Sequence, residues 1–339
     1  MKALEKNILN EFNGKTICIT GGTGSIGLGL IKQLIKYKPK SIRILSNDEN
    51  SIFEAKNHLG KNPVFTFLIG DIRDKDRMIF AMKGVDIIFH VAAMKHVDIC
   101  ESDPFETIKT NVVGTSNVLE VALLQNISKV VFVSTDKATN PTSTLGASKL
   151  LGERLTIKAS SLKGKGKTNF LVVRFGNVIG SRGSVFQIFL NQIKKNEPLT
   201  VTDPNMTRFI MSISDAASTI LKATHKAKDG EIFILKMQSV KILDLAQEMI
   251  KVYQKKIPHA KINSKIIISK IREGERMHEY LITADEMNFC HNEGRFYKIN
   301  QIANKKRIND KELGSETAEK VTGVKLQKII EELMNEFGI

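Results

Sequence analysis

The stretch KTICITGGTGSIG (15–27) decides the fold. KTICIT (15–20) is a short apolar, β-branched run and reads as a buried strand, and Ser25–Tyr37 has the spacing of a helix. Between them Gly21, Gly24 and Gly27 keep a three-residue interval. The first permits a tight turn, the second lets backbone approach a pyrophosphate, and the third allows close helix–strand contact. A helix starting at this point aims its N-terminal amides at the phosphate. A glycine triplet alone says little; set between strand and helix it points to dinucleotide binding.

The same alternation continues outward. SIRILS (41–46), VFTFLIG (64–70), VDIIFHVAA (85–93), KVVFVST (129–135) and NFLVVRFG (169–176) read as strands. Asn50–Leu59, Asp74–Met82, Pro104–Gln125 and Thr144–Ser161 read as the helices between them. Strand runs with few polar breaks, each followed by a helix, predict an α/β fold of Rossmann type: a doubly wound parallel sheet covered on both faces. After Asn177 helical segments (184–195, 214–226, 242–254, 321–337) alternate with short strands, which predicts a smaller C-terminal lobe. The division expected is residues 1–176 for the dinucleotide, including a chemical segment at 134–149, and 177–339 mainly for substrate. Elements of the second part can return to the main sheet.

Composition narrows the class. The 339 residues are 42% apolar and 26% charged, as in an ordinary globular protein. No apolar run is long enough to span a membrane, and the N-terminal MKALEKNILNEFNGK lacks the apolar core of a secretory signal. Cys18, Cys100 and Cys290 are too scattered for a metal site or a disulfide framework, so no metal and a cytoplasmic location are expected. The net charge of +15 comes from lysines spread along the chain. A solvated basic surface explains it first, and a cleft for a phosphorylated small molecule second. Without a basic run or an aromatic platform, nucleic acid is the weakest partner.

Within the first half, the expected cofactor contacts are Gly21, Thr23, Gly24, Ser25, Ile26 and Gly27, with Ala92 and Ala93 at the end of the fourth strand. Ser46 and Asn47 stand where an NAD-committed protein usually places a carboxylate for the ribose 2′-hydroxyl. A hydroxyl and an amide suit a 2′-phosphate better, which favours NADP over NAD, although Asp48 is close enough to turn inward. Asp71 and Ile72 follow the third strand and suit the adenine edge and face; Asp71 reads equally well as a helix cap.

The segment STDKATNPTSTLGASK (134–149) sets Thr135, Asp136 and Lys137 at the end of the fifth strand, with Lys149 on the next helix. Here the chain resembles the extended short-chain dehydrogenase/reductases, and among them the inverting UDP-N-acetylglucosamine 4,6-dehydratases of polysaccharide synthesis. Besides GGTGSIG (21–27), the resemblance rests on AAMKHVD (92–98), KTNVVGTSNV (109–118), STDKATNP (134–141), VRFGNVIGSRGSV (173–185), MTRF (206–209) and IREGERMHE (271–279).

That resemblance implies a three-step reaction. Hydride leaves sugar C4 for a nicotinamide, water is eliminated across C5 and C6, and hydride returns to C6, so the cofactor is tightly bound and recycled. It assigns the acid to Asp136 and the C5 base to Lys137, and gives Lys149 the nicotinamide ribose. An amine base needs a depressed pKa, which burial beside Lys149 and the cationic ring would supply. The tyrosine usual four residues before the lysine is Leu145, so Thr135 is expected to relay the O4 proton towards Lys149 while Leu145 forms an apolar wall. The resemblance further implies Lys95, Asn177, Arg208, Arg272 and Glu275 as substrate contacts, two arginines suiting a diphosphate. Glu273 replaces a usual proline in REGER (272–276), which leaves UDP against GDP open. A homo-oligomer of two or six chains is implied as well. A 4-epimerase or ketoreductase on a nucleotide sugar, or a catalytically silent NADP sensor, are the competing readings. The epimerase and ketoreductase lean on the missing tyrosine, and a sensor has no need of Asp136, Lys137 and Lys149 together.

Overall fold

A computed structural model describes residues 2–260, 262, 265–300 and 313–339. Its first half supplies six strands: β1 (Thr16–Thr20), β2 (Ser41–Ser46), β3 (Phe65–Ile69), β4 (Ile87–His90), β5 (Lys129–Thr135) and β6 (Asn169–Phe175). They lie in the order β3-β2-β1-β4-β5-β6, each pair parallel. The order reverses between β1 and β4, and such a switch point opens a crevice at the carboxyl ends of the strands. Strand Ile232–Leu235 extends the sheet in parallel beyond β6, and the antiparallel pair Phe296–Ile299 and Cys290–Glu293 completes that edge. Among the described residues, three strands from beyond residue 176 thus join the main sheet.

Both faces are covered, which is why these strands carry apolar residues at successive positions. On one face helices Lys2–Phe12, Ser25–Leu34 and Ile213–Lys226 bring Phe12, Leu30, Ile31 and Ile220 onto Ile17, Ile19 and Phe89. A Cβ on Gly29 would stand 2.7 Å from Ile213 Cγ2, so glycine at this position lets two of those helices touch. On the other face Met78, Met82, Val118 and Ala122 cover Ile88, Val130 and Phe170. Each fully buried aliphatic or aromatic side chain of this kind contributes roughly 1.5–3 kcal/mol. A separate core joins helices Val185–Lys194, Ile242–Lys256 and Gly323–Glu336 through Phe186, Phe189, Leu245, Met249, Leu326 and Ile330. The final helix therefore packs on the smaller lobe, as its periodicity predicts.

Three local expectations change. The helix read as continuous over 104–125 is an α-helical turn, Pro104–Ile108, a π-helical turn, Lys109–Val113, and a second α-helix, Gly114–Leu124. Asn111 explains the interruption: its side chain grips the Met94 backbone at both N (2.8 Å) and O (3.1 Å) and donates to Ser148 Oγ (3.0 Å). The strand read over 85–93 is regular only over Ile87–His90: the Val91 amide is shared between Thr20 O and Thr20 Oγ1 (both 3.2 Å), and the Ala92 amide turns to Thr20 Oγ1 at 3.3 Å. The cap of helix Lys75–Met82 is Asp74, which accepts from Arg77 N at 2.9 Å, and not Asp71.

Candidate active site

The glycine turn is built as its spacing predicts. Gly21 has φ +65 and lies against Ala92, whose Cα would be 2.8 Å from a Cβ on the glycine. A Cβ on Gly27 would come within 2.6 Å of Gly22 Cα, so the helix can sit this close only with glycine. Gly24 caps that helix without a side-chain hydrogen bond, and a Cβ there would meet only Gly21 O, at 3.3 Å. Uncapped amides beside open space are what a bound pyrophosphate requires, so these residues fit a dinucleotide.

Further along the crevice, Ser51 Oγ joins Thr23 Oγ1 (2.8 Å) to Ser46 Oγ (3.2 Å), making a row of hydroxyls at the end of β2. Asp48 does not turn inward, since it accepts from Asn50 N at 3.0 Å and starts helix Glu49–Leu59. Asn47 is exposed and donates to Asp71. Asp71 is held by Arg73 through N (2.9 Å), Nε (3.0 Å) and Nη2 (2.6 Å), and these bonds keep its carboxyl below the usual range. Ile72 is buried under Gly114, Ile26 packs against the core, and Ala92 and Ala93 are half-buried beside the turn.

A strap crosses this end of the cleft. Arg182 N donates to Ser25 Oγ at 3.0 Å, and its carbonyl accepts from Lys95 Nζ. Gly183, with φ +69, lies against the His96 ring, which leaves no room for a Cβ. Residues 181–183 therefore tie the glycine turn to the loop after β4. Burial, helped by Arg182, pushes the Lys95 amine down.

The chemical segment follows β5. Asp136 is wholly buried; its Oδ1 accepts from Thr135 Oγ1 (2.9 Å) and from Lys137 Nζ (3.1 Å). Its Oδ2 faces Gly176, where a Cβ would stand at 2.8 Å, and has no hydrogen-bond partner among the described residues. Burial, and next to it the charge of Glu279, raise the Asp136 carboxyl, although Lys137 opposes this. Asp136 is thus suited to hold a proton and release it.

Lys137 departs from expectation. Its Nζ lies 3.1 Å from Asp136 Oδ1 and 3.1 Å from Glu279 Oε1. Burial lowers the amine, but the two carboxylates outweigh it and leave Lys137 raised. The depressed amine sits elsewhere: Lys149, 6% exposed, is lowered to about 8 by burial, with Glu153 opposing. Lys149 Nζ donates to Val133 O at 2.7 Å and stands over the Phe132 ring. No direct hydrogen bond joins Thr135 to Lys149 among the described residues, and the Thr135 hydroxyl donates to Asp136 Oδ1 at 2.9 Å. Leu145 is buried, four residues before Lys149 on the same helix.

Of the residues implied for substrate, Arg208 is buried and donates through Nη1 to Thr207 O (2.8 Å) and Met277 O (3.2 Å), while its Nη2 lies 3.6 Å from Glu275 Oε1. Asn177 Oδ1 is buried with no partner among the described residues. Arg272 is exposed, and its backbone forms a turn with Glu275 (3.1 Å) over Gly274 at φ +72. Glu273 leaves that turn intact, because the glycine supplies the conformation.

Two residues escaped sequence reasoning. Arg276 fastens this segment to the chemical loop through Thr142 Oγ1 (3.0 Å) and Thr139 O (2.8 Å). Glu279 adds a second carboxylate to Lys137; its only signal is its place at the end of IREGERMHE (271–279). His278 is accounted for by Thr207 Oγ1 at 2.8 Å, and His96 by its contact with Gly183.

Comparison with known proteins is consistent with this geometry. Residues 17–301 match the family model described as polysaccharide biosynthesis protein. An uncharacterized membrane protein of Methanocaldococcus jannaschii is 46% identical, over 97% of this chain and 98% of that one. Among the relatives with an activity in their names are a UDP-N-acetylglucosamine 4,6-dehydratase (inverting) of Campylobacter jejuni, 41% identical, and a UDP-glucose 4-epimerase of Rickettsia bellii, 40% identical. Each match spans 85% of this chain and 83% of the relative. Among solved structures, Pen from Bacillus thuringiensis superposes with a TM-score of 0.90 at 39% identity, over 97% of this chain and 99% of that one. A dTDP-glucose 4,6-dehydratase of Streptomyces venezuelae with NAD bound shares the fold, with a TM-score of 0.67 at 21% identity over 77% and 86% of the two chains. No helix among the described residues is long and apolar enough to cross a membrane.

Proposed function

The chain belongs to the polysaccharide biosynthesis protein family, within the nucleotide-sugar dehydratases and epimerases, and on that premise we propose that it is a 4,6-dehydratase acting on UDP-N-acetylglucosamine, with inversion at C5. One observation carries this reading: a buried acid, Asp136, with an oxygen that has no partner among the described residues, lies beside the amine of Lys137, while a leucine fills the place of the usual tyrosine. Elimination of water needs an acid for O6 and a base for C5 around one ring. Epimerisation or simple reduction needs neither.

A nicotinamide dinucleotide, when bound, supplies the hydride acceptor and donor. The glycine turn with Ser25 holds its pyrophosphate, and Lys149 its nicotinamide ribose. Thr23, Ser46 and Ser51 present hydroxyls without a carboxylate, which supports NADP over NAD. Arg208 and Arg272 bind the diphosphate and Glu275 the ribose hydroxyls, while Asn177 and Lys95 border the sugar. Residues 1–176 serve the dinucleotide and most of 177–339 the substrate, in a homo-oligomer.

The Rickettsia relative keeps a second reading alive, a 4-epimerase. Purified protein incubated with UDP-N-acetylglucosamine in heavy water separates the two. Mass spectrometry and NMR should show loss of water with solvent deuterium at C5. Conversion without change of mass sinks the dehydratase in favour of the epimerase, and no turnover of either kind points to a sensor. The same assay with the GDP sugar tests the choice of nucleotide.

A further inference from the structure

The elimination needs a free amine on Lys137, yet Lys137 is flanked by two carboxylates. Asp136 holds a proton at rest, so Glu279 is the carboxylate whose charge balances the ammonium. Glu279 is 2% exposed, and its Oε2 has no partner among the described residues. Arg208 Nε is 3.9 Å from Oε1 and compensates only in part, since its Nη1 serves backbone carbonyls.

The placement of Glu279 is nonetheless rigid. Its amide donates to Ser315 Oγ at 3.0 Å, and its carbonyl accepts from Ser315 N at 2.8 Å. Ser315 is itself fixed by Thr207 Oγ1 at 2.7 Å. Its carboxylate thereby stands 3.1 Å from Lys137 Nζ and 3.9 Å from Arg208 Nε.

We propose that Glu279 is a positioning residue for the elimination: it receives the ammonium proton of Lys137, so that Lys137 presents a free amine to C5 while Asp136 keeps the proton O6 needs. The inference rests on the dehydratase reading. Three groups then hold two protons. In the ready state these are on Asp136 and Glu279. The amine takes the C5 proton, and the electron pair of that C–H bond forms the C5–C6 double bond. The C6–O bond breaks with its electrons on oxygen, and the Asp136 proton completes the departing water. Two protons remain, on Lys137 and Glu279. Lys137 passes its proton to Asp136 and recovers one from Glu279, which returns the resting state.

The surrounding charges agree with that resting state. Asp136 is faced by Thr135, Lys137 and Glu279; Glu279 is faced in turn by Lys137, Arg208 and Arg276. Burial raises the Glu279 carboxyl, but Lys137 and Arg208 outweigh it and hold it low. At rest Glu279 is an anion, and its charge helps to keep the proton on Asp136.

The test compares Glu279→Gln and Glu279→Asp with the wild type, using UDP-N-acetylglucosamine in heavy water across a pH series. In Glu279→Gln water loss should fall about a hundredfold. The alkaline limb of its pH profile should move to lower pH, because Asp136 loses the neighbour that raises it. Glu279→Asp should keep the limb near its wild-type position. Retention of both rate and profile in the glutamine variant overturns the proposal. So does an equal loss in both variants with an unmoved profile, which is the mark of packing alone. Carbon-13 NMR of labelled aspartate gives a second readout, independent of turnover. Asp136 should titrate above the usual aspartate range in the wild type and lower in Glu279→Gln. If the glutamine variant does not fold, an ordinary Asp136 midpoint in the wild type refutes the idea. If the wild type releases no water, the dehydratase reading fails, and the titration still judges Glu279.

Discussion

Two buried clusters in this molecule have the same composition, one cation between two carboxylates, and opposite states of completion. In the first, Arg174 donates through Nε and Nη2 to Glu153 (2.9 and 2.6 Å) and through Nη1 and Nη2 to Glu286 (both 2.8 Å). Its remaining Nη1 proton goes to Leu281 O at 2.9 Å, so all of its donors are used. In the second, Lys137 stands between Asp136 and Glu279, and each carboxylate keeps an oxygen without a partner among the described residues. A guanidinium that cannot lose its proton closes one cluster, and an amine that can lose it leaves the other open. The difference separates a structural tie from a reactive site better than burial does, because both clusters are buried.

The comparison is easiest to break at Asp136. Asp136→Asn should reduce water loss by about 10²–10⁴-fold, the usual worth of a general acid, without lowering the midpoint of urea unfolding. A large loss of stability would make Asp136 a structural residue like Glu153. At the closed cluster Arg174→Leu should do the reverse. It strands two buried carboxylates and should cost about 3–5 kcal/mol in urea unfolding, while molecules that remain folded still turn over.

A third, smaller effect concerns the lowered amine. In the folded chain Lys149 titrates at about 8, whereas the unfolded chain keeps the ordinary 10.5. Between those values the unfolded state binds more protons, so the Lys149 contribution to stability rises with pH across the window, by roughly 3 kcal/mol in all. Lys149→Met should remove that slope from unfolding free energies measured without cofactor, and it should also abolish sugar oxidation. The smallest expected effect is at Leu145. Leu145→Met conserves volume and should cost less than about 1.5 kcal/mol, with water loss preserved. A marked fall in turnover there would give Leu145 more than a packing role.

What could be read beforehand divides along the same line. The turn from Gly21 to Gly27, and the run Thr135-Asp136-Lys137 after β5, are local patterns whose geometry depends on residues nearby in sequence, and both stand where they were expected. The raised state of Lys137 comes first from Asp136, its neighbour in sequence, and then from Glu279, which the tertiary fold brings in and Ser315 locks and which no local pattern shows. The bond from the Thr135 hydroxyl to Asp136 was not read either, although a hydroxyl next to a buried carboxylate is placed to make it. The interruption at Lys109–Val113 was invisible because apolar spacing on either side continues without a break.

That interruption has a consequence for how the site can be altered. A π-helical turn carries one residue more than the α-helical turn it replaces. Here the surplus residue lets Asn111 reach the Met94 backbone while Thr115, one turn on, meets His90 Nε2 at 3.0 Å. Deleting a single residue from Lys109–Val113 would heal the helix and rotate one of these two side chains off its partner. The length of this segment, more than the identity of its exposed residues, is therefore what the crevice depends on: it tolerates exchange at Lys109 or Val113 and is sensitive to a missing codon.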